Sequence, residues 1–259
     1  MLELEAGRRA AIRDLDAIIS RLHELTSEEW ERMTPNEGWN VRHLAVHLTE
    51  TIPFMTNILG EIIAIRLGQV PTTETGMVVS VESECDQIIA SVTEHRNAFF
   101  HTIALMEEAD LTAEAPGGTA LPRTGQLYLA LATAEFGLHR FDLEESQDDT
   151  ETGLSDEAII ATNEVMISNM ALFATGTGKH PDHPLSYVFA GSLVDIRLTW
   201  DGKSWSLDEV EGLPEVRFQG DDSALALFIC GRIGIDSDRL GIEGDREAAV
   251  QFKTYVPGP

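Results

Sequence analysis

Glu135 and His139 stand four residues apart in the segment Glu135-Phe136-Gly137-Leu138-His139-Arg140-Phe141-Asp142-Leu143. On a helix, positions i and i+4 share a face, so this carboxylate and this imidazole project together. A second segment, Trp39 to Leu48, carries His43 and His47, and the face of His47 also holds Leu44 and Leu48. If the two helices are neighbours, His47, Glu135 and His139 bring two imidazole nitrogens and a carboxylate to one point. That donor set suits zinc or another divalent ion of the first transition row, and three protein ligands leave a position open for water or substrate. The plain alternative is a solvated Glu–His pair beside a hydrogen-bonded core histidine. His43 and His47 are also four apart and form an alternative pair, although His43 next to Arg42 reads equally well as a surface residue. His23, His95 and His101 show no partner pattern; His180 and His183 fall in a linker, solvated or at the lip of a site.

The elements that must position these residues are long helices. Leu4, Ile12, Leu15, Ile18, Ile19, Leu22 and Leu25 fall mostly at three- and four-residue spacing, predicting an amphipathic helix. Thr26 with Glu29 resembles a capping box before a short helix holding Trp30, and Pro35, Asn36 and Gly38 then break the chain. A second helix is predicted from Val41 to Leu67, stopping at Gly68 and kinked near Glu50 by Pro53. A third runs from Val81 to Met106, a loop from Ala109 to Gly118, and a fourth helix from Thr124 to Glu145. Together these read as an up-down four-helix bundle over residues 1–150. The acidic stretch Ser146 to Ser155 marks a boundary, followed by a helix from Asp156 to Phe173 and a linker from Gly176 to Pro184. The period then changes to two: Val194, Ile196, Leu198 and Trp200 alternate with polar residues, Asp201-Gly202 turns the chain, and Trp205 and Leu207 continue. Val216 and Phe218 predict another strand, Ser223 to Arg232 a buried helix, and Asp245 to Phe252 a closing helix. Residues 155–259 thus read as a small α+β domain.

The chain has 259 residues, with 18 basic and 44 acidic side chains and a net charge of −26. Such a surface repels nucleic-acid phosphates and anionic lipid heads, so neither is an expected partner. No run of 18 apolar residues occurs, so no membrane span is expected. Met1 to Arg13 lacks the apolar core of a signal peptide. Two cysteines, Cys85 and Cys230, make neither a disulfide framework nor a thiolate zinc site. Cys230 lies in an apolar run, and Cys85 among Glu82, Glu84 and Asp86 is a poor nucleophile. The expected compartment is the reducing cytoplasm; monomer and homodimer both stay open.

The stretch Leu25-Thr26-Ser27-Glu28-Glu29-Trp30, then Gly38-Trp39-Asn40-Val41-Arg42, then Leu44 and His47-Leu48, resembles the opening of the mycothiol-dependent maleylpyruvate isomerase family. That family belongs to the DinB-like metal-binding four-helix bundles. Glu135, His139-Arg140 and Asp142-Leu143 resemble its fourth-helix signature. The resemblance implies that His47, Glu135 and His139 are the metal ligands. His43 departs from it, standing where relatives commonly have Asp. Asp142 fits the pattern and is expected to orient Arg140 or close the end of the site, or else to form a helix-end salt bridge. The C-terminal region is similar to the sterol-carrier-like domain attached to such bundles, through Leu227 to Arg232 and Gly244-Asp245. Arg232 is the counterpart of the family's functional arginine, able to clamp a carboxylate, unless it pairs with Asp236 or Asp238.

A divalent ion with an open position turns a thiol into thiolate at neutral pH. With this chain's cysteines badly placed, the thiol must be external and small, and the resemblance implies mycothiol. It further implies cis–trans isomerisation of maleylpyruvate: thiolate adds to the double bond, the resulting single bond rotates, and elimination gives fumarylpyruvate. The acidic surface suits a dianionic substrate poorly, which keeps two alternatives in view. One is mycothiol transfer to other electrophiles; the other is a non-enzymatic apolar-ligand-binding protein, favoured by the run Ala224 to Ile235.

Overall fold

A computed structural model describes residues 1–73, 76–117, 122–147 and 153–257. The chain divides into two compact units, Met1–Thr152 and Gly153–Pro259.

The first unit is built on α1 (Leu4–Glu24), α2 (Val41–Leu67), α3 (Cys85–Ala104), the single turn α4 (Glu108–Leu111) and α5 (Gly125–Glu145). Local chemistry sets their ends. The Asn40 side chain accepts from the His43 amide and starts α2, and Gly68 ends it at φ 66°, a left-handed conformation that side chains resist. Thr124 caps α5 through the Leu127 amide. Thr26 and Glu29 form their reciprocal box, but the turn they start is a 3-10 turn, Glu29–Glu31. α3 begins at Cys85 rather than Val81, because Glu84 and Gln87 build a second box there. Where a loop is expected after Ala109, α4 forms instead. Its buried Asp110 accepts from the Glu107 amide at 2.7 Å and from Arg66 at 2.8 Å.

α2 continues through Pro53, whose ring leaves the Thr49 carbonyl without its helical donor but does not end the helix. On length and hydropathy α2 and a later helix, Asp156–Gly176, could each cross a membrane. α2 instead commits Leu44, Leu48, Ile52, Met55, Leu59 and Ile62 to the bundle core.

Around the bundle the helices run α1–α3–α2–α5. This corrects the simple up-down ring: of the chain neighbours among the four long helices, only α2 and α3 lie side by side. α1/α2 and α3/α5 take the diagonals. α1 and α5 are locked by buried Asp14, which faces Arg13 at 2.9 Å and Arg140 at 3.2 Å.

The second unit holds α6 (Asp156–Gly176), β1 (Leu185–Ala190), β2 (Asp195–Trp200), β3 (Trp205–Ser206), β4 (Glu215–Gln219), α7 (Asp222–Ile229), β5 (Gly241–Glu243) and α8 (Arg246–Tyr255). The strand order is β3-β2-β1-β4-β5, with only β1 and β4 parallel. The central strand β1 is not among the sequence expectations. Buried at five of its six positions, it lacks the period-two alternation that marks β2. β5 has three residues and is too short to give a pattern. Phe189, Phe218, Phe228 and Phe252 form the aromatic core, with Phe189 and Phe218 stacked at 4.7 Å.

Two glycines test this packing. A Cβ on Gly125 would meet the Asp110 carbonyl oxygen at 2.3 Å, whereas one on Gly60, inside α2, would meet nothing within 4 Å. Gly125→Ala should lower unfolding stability by about 1–3 kcal/mol, and Gly60→Ala should raise it by about 0.5–1 kcal/mol. Urea titrations of the two variants against the parent measure both.

Candidate metal centre

α2 and α5 are neighbours, so the condition posed by the sequence is met. His47 Nε2 lies 2.7 Å from Glu135 Oε1, and His139 Nε2 lies 3.2 Å from the same oxygen. The donor atoms of the three residues all fall within 4.8 Å of one another. His139 Nδ1 donates to Asp142 Oδ2 at 3.0 Å, so its Nε2 is the nitrogen presented to the cluster. His139 and Asp142 are buried, while His47 and Glu135 keep 29% and 20% exposure, a path from solvent. The Trp39 ring packs on both imidazoles, 4.8 Å from His47 and 6.0 Å from His139 between centroids.

The donor set fits a divalent ion. Donors around one tetrahedral zinc sit about 3.3 Å apart, given bonds of about 2.0–2.1 Å. The His47–Glu135 pair must therefore open by roughly half an ångström. Without an ion, the same atoms form a charged hydrogen-bonded cluster. Burial alone would raise the Glu135 carboxyl, but the imidazoles of His139 and His47 hold it far below the usual carboxylate range. Burial alone would lower His139; Glu135 and Asp142 push it up instead, to about 9.

The profile of the family described as "Mycothiol maleylpyruvate isomerase N-terminal domain" matches residues 9–144. The chain belongs to this family. Two solved structures share its fold: a mycothiol-dependent maleylpyruvate isomerase (16% identity, TM-score 0.56) and a histidine-to-alanine mutant of such an enzyme (17%, TM-score 0.55). Each alignment covers 93% of both chains. No curated protein matches the chain.

Asp142 accepts from His139, and Arg140 faces Glu144 and Asp14. His43 is exposed at the start of α2, its Nδ1 against Asn40 Oδ1, and stands outside the three-residue cluster. Arg232 belongs to the second unit, where its Nη1 donates to the Cys230 carbonyl at 2.8 Å. Asp236, one of its expected partners, receives Arg246 at 2.8 Å. Two residues at the cluster escaped sequence reasoning. Thr51 stands one turn beyond His47, the same i+4 spacing that singled out Glu135 and His139. Trp39 lies inside the recognised motif, with no feature of its own to tie it to the imidazoles.

The raised His139 value sets a sign. In the metal-free protein the His139 ion pair stabilises fully below pH 6.5, and this contribution is lost as pH rises through about 9. An ion must displace that proton. Zinc binding at pH 7 is expected to release about one proton from His139, read by calorimetry in buffers of different ionisation heats. Asp142→Asn should weaken zinc binding about 10- to 100-fold, measured by chelator competition.

Proposed function

We propose that the chain is a divalent-metal- and mycothiol-dependent enzyme that isomerises maleylpyruvate or performs a related thiol addition. The observation that carries this reading is the convergence of His47, Glu135 and His139, with Asp142 fixing the presented nitrogen. Zinc is the first choice for this two-nitrogen, one-oxygen set, and when bound it would supply thiolate at neutral pH.

The chain's own residues do the rest. Among the three ligands His47 and His139 offer neutral nitrogens and Glu135 contributes the one negative charge, so a divalent ion and its ligands keep a net positive charge for an anionic sulfur. Asp142 holds the His139 ring from behind, and Trp39 shields both imidazoles on one side. Arg232 is the second unit's guanidinium for a substrate carboxylate. Cys85 and Cys230 are not joined in a disulfide, and a reducing cytoplasmic setting is part of this proposal.

Transfer of mycothiol to another electrophile is the second reading, favoured by the −26 net charge and by His43 in place of the usual Asp. The two readings differ in stoichiometry: isomerisation returns the thiol, and transfer consumes it. The zinc-loaded protein with mycothiol should convert maleylpyruvate without net thiol loss. His47→Ala should bind no zinc and lower turnover at least about 100-fold, on the scale of a catalytic-group deletion. Thiol loss with other electrophiles and none of the isomerisation would move the assignment to the transferase. Unchanged zinc content in His47→Ala would overturn the site.

A further inference from the structure

Thr51 lies in α2 one turn after His47 and is half-buried. Its Oγ1 lies 2.9 Å from His47 Nε2 and 3.4 Å from Nδ1, and 3.0 Å from the His47 carbonyl oxygen. The hydroxyl therefore sits beside the ring nitrogen that also faces Glu135. Its single hydrogen has one clear acceptor there, the His47 carbonyl. That carbonyl lies in a continuous helix, where it also accepts the amide four residues on, so it does not depend on the hydroxyl. The threonine side chain is thus free to turn its hydrogen elsewhere without leaving a buried acceptor unsatisfied.

Once an ion takes the Nε2 lone pair, the hydroxyl loses that nitrogen as a partner. With the hydroxyl 2.9 Å from that nitrogen and a metal–nitrogen bond of about 2.0–2.1 Å, the hydroxyl would stand no more than about 5 Å from the ion. We infer that Thr51 is a positioning residue whose hydroxyl donates a hydrogen bond to the thiol sulfur at the open coordination position. The inference rests on the metal- and thiol-dependent reading above and adds to it a specific donor from this chain. The role is distinct from that of Asp142, which acts on the ligand His139 and not on the ion's remaining position. A hydroxyl donor would hold the sulfur in one orientation and favour its anionic form, since a thiolate accepts hydrogen bonds more strongly than a thiol.

The test separates action on the sulfur from action on His47. Thr51→Val keeps the shape and removes the hydroxyl; Thr51→Ser keeps the hydroxyl. Each variant is loaded with cobalt(II), and 2-mercaptoethanol binding is followed by the sulfur-to-cobalt charge-transfer absorption. Cobalt affinity is measured separately by chelator competition. Thr51→Val should bind the thiol about tenfold more weakly, the size of one hydrogen bond. Thr51→Ser should stay within about twofold, and cobalt affinity of both within about threefold, well short of that loss. Parent-like thiol binding by Thr51→Val overturns the inference. So does an equal loss of cobalt affinity, which would make Thr51 only a support for the His47 ring. If the parent itself binds no cobalt, the metal reading fails and this inference falls with it; cobalt binding with a failed Thr51 test leaves that reading intact.

Discussion

One carboxylate oxygen, Glu135 Oε1, accepts from imidazoles on two helices, α2 and α5, and both contacts must form at once. The constraint is severe because the three residues are partly or wholly removed from water. A lone carboxylate or imidazolium there would be costly, and the cluster persists only because each charge faces its opposite. Much of the first unit serves that arrangement. Asp142 holds His139 from below, Trp39 covers both rings, and Asp14 and Glu144 hold Arg140 off the site.

Charge organises the molecule on a larger scale. With 18 basic side chains against 44 acidic ones, most cations are engaged in holding the fold. Arg66 binds Asp110, Arg96 faces Asp16, Arg123 faces Glu61, and Arg197 faces Glu215. The general surface offers an anion little attraction. Local positive character must come from the site itself, which makes an ion with two neutral nitrogens and a single carboxylate chemically apt. The exposed pairs among these contribute little stability each.

How far the sequence told this story depends on the range of the physics. Local chemistry was legible: Asn40, Gly68, Thr124 and Asp245 act within a turn of themselves, and the ends of α2 and α5 follow to within a residue. The i, i+4 geometry placed Glu135 beside His139. The meeting with His47 depended on helix adjacency, a long-range fact that spacing alone could state only as a condition. The ring order escaped for the same reason, since helical periodicity says which face is buried but not against what. β1 escaped because a strand covered on both sides has no alternation to read. Asp142 was recognised by pattern with its neighbour left open: His139 at i−3 lies as close along a helix as any residue, and only coordinates reveal which rotamer is chosen.

The diagonal placement of α1/α2 and α3/α5 bears on how the polypeptide assembles. α1 packs chiefly on α5, more than a hundred positions later, so this pairing must close a long loop. During synthesis, the apolar face of α1 must wait until α5 leaves the ribosome. The nascent first unit therefore passes through a long stage with unpaired helices, the interval in which a chaperone is most useful.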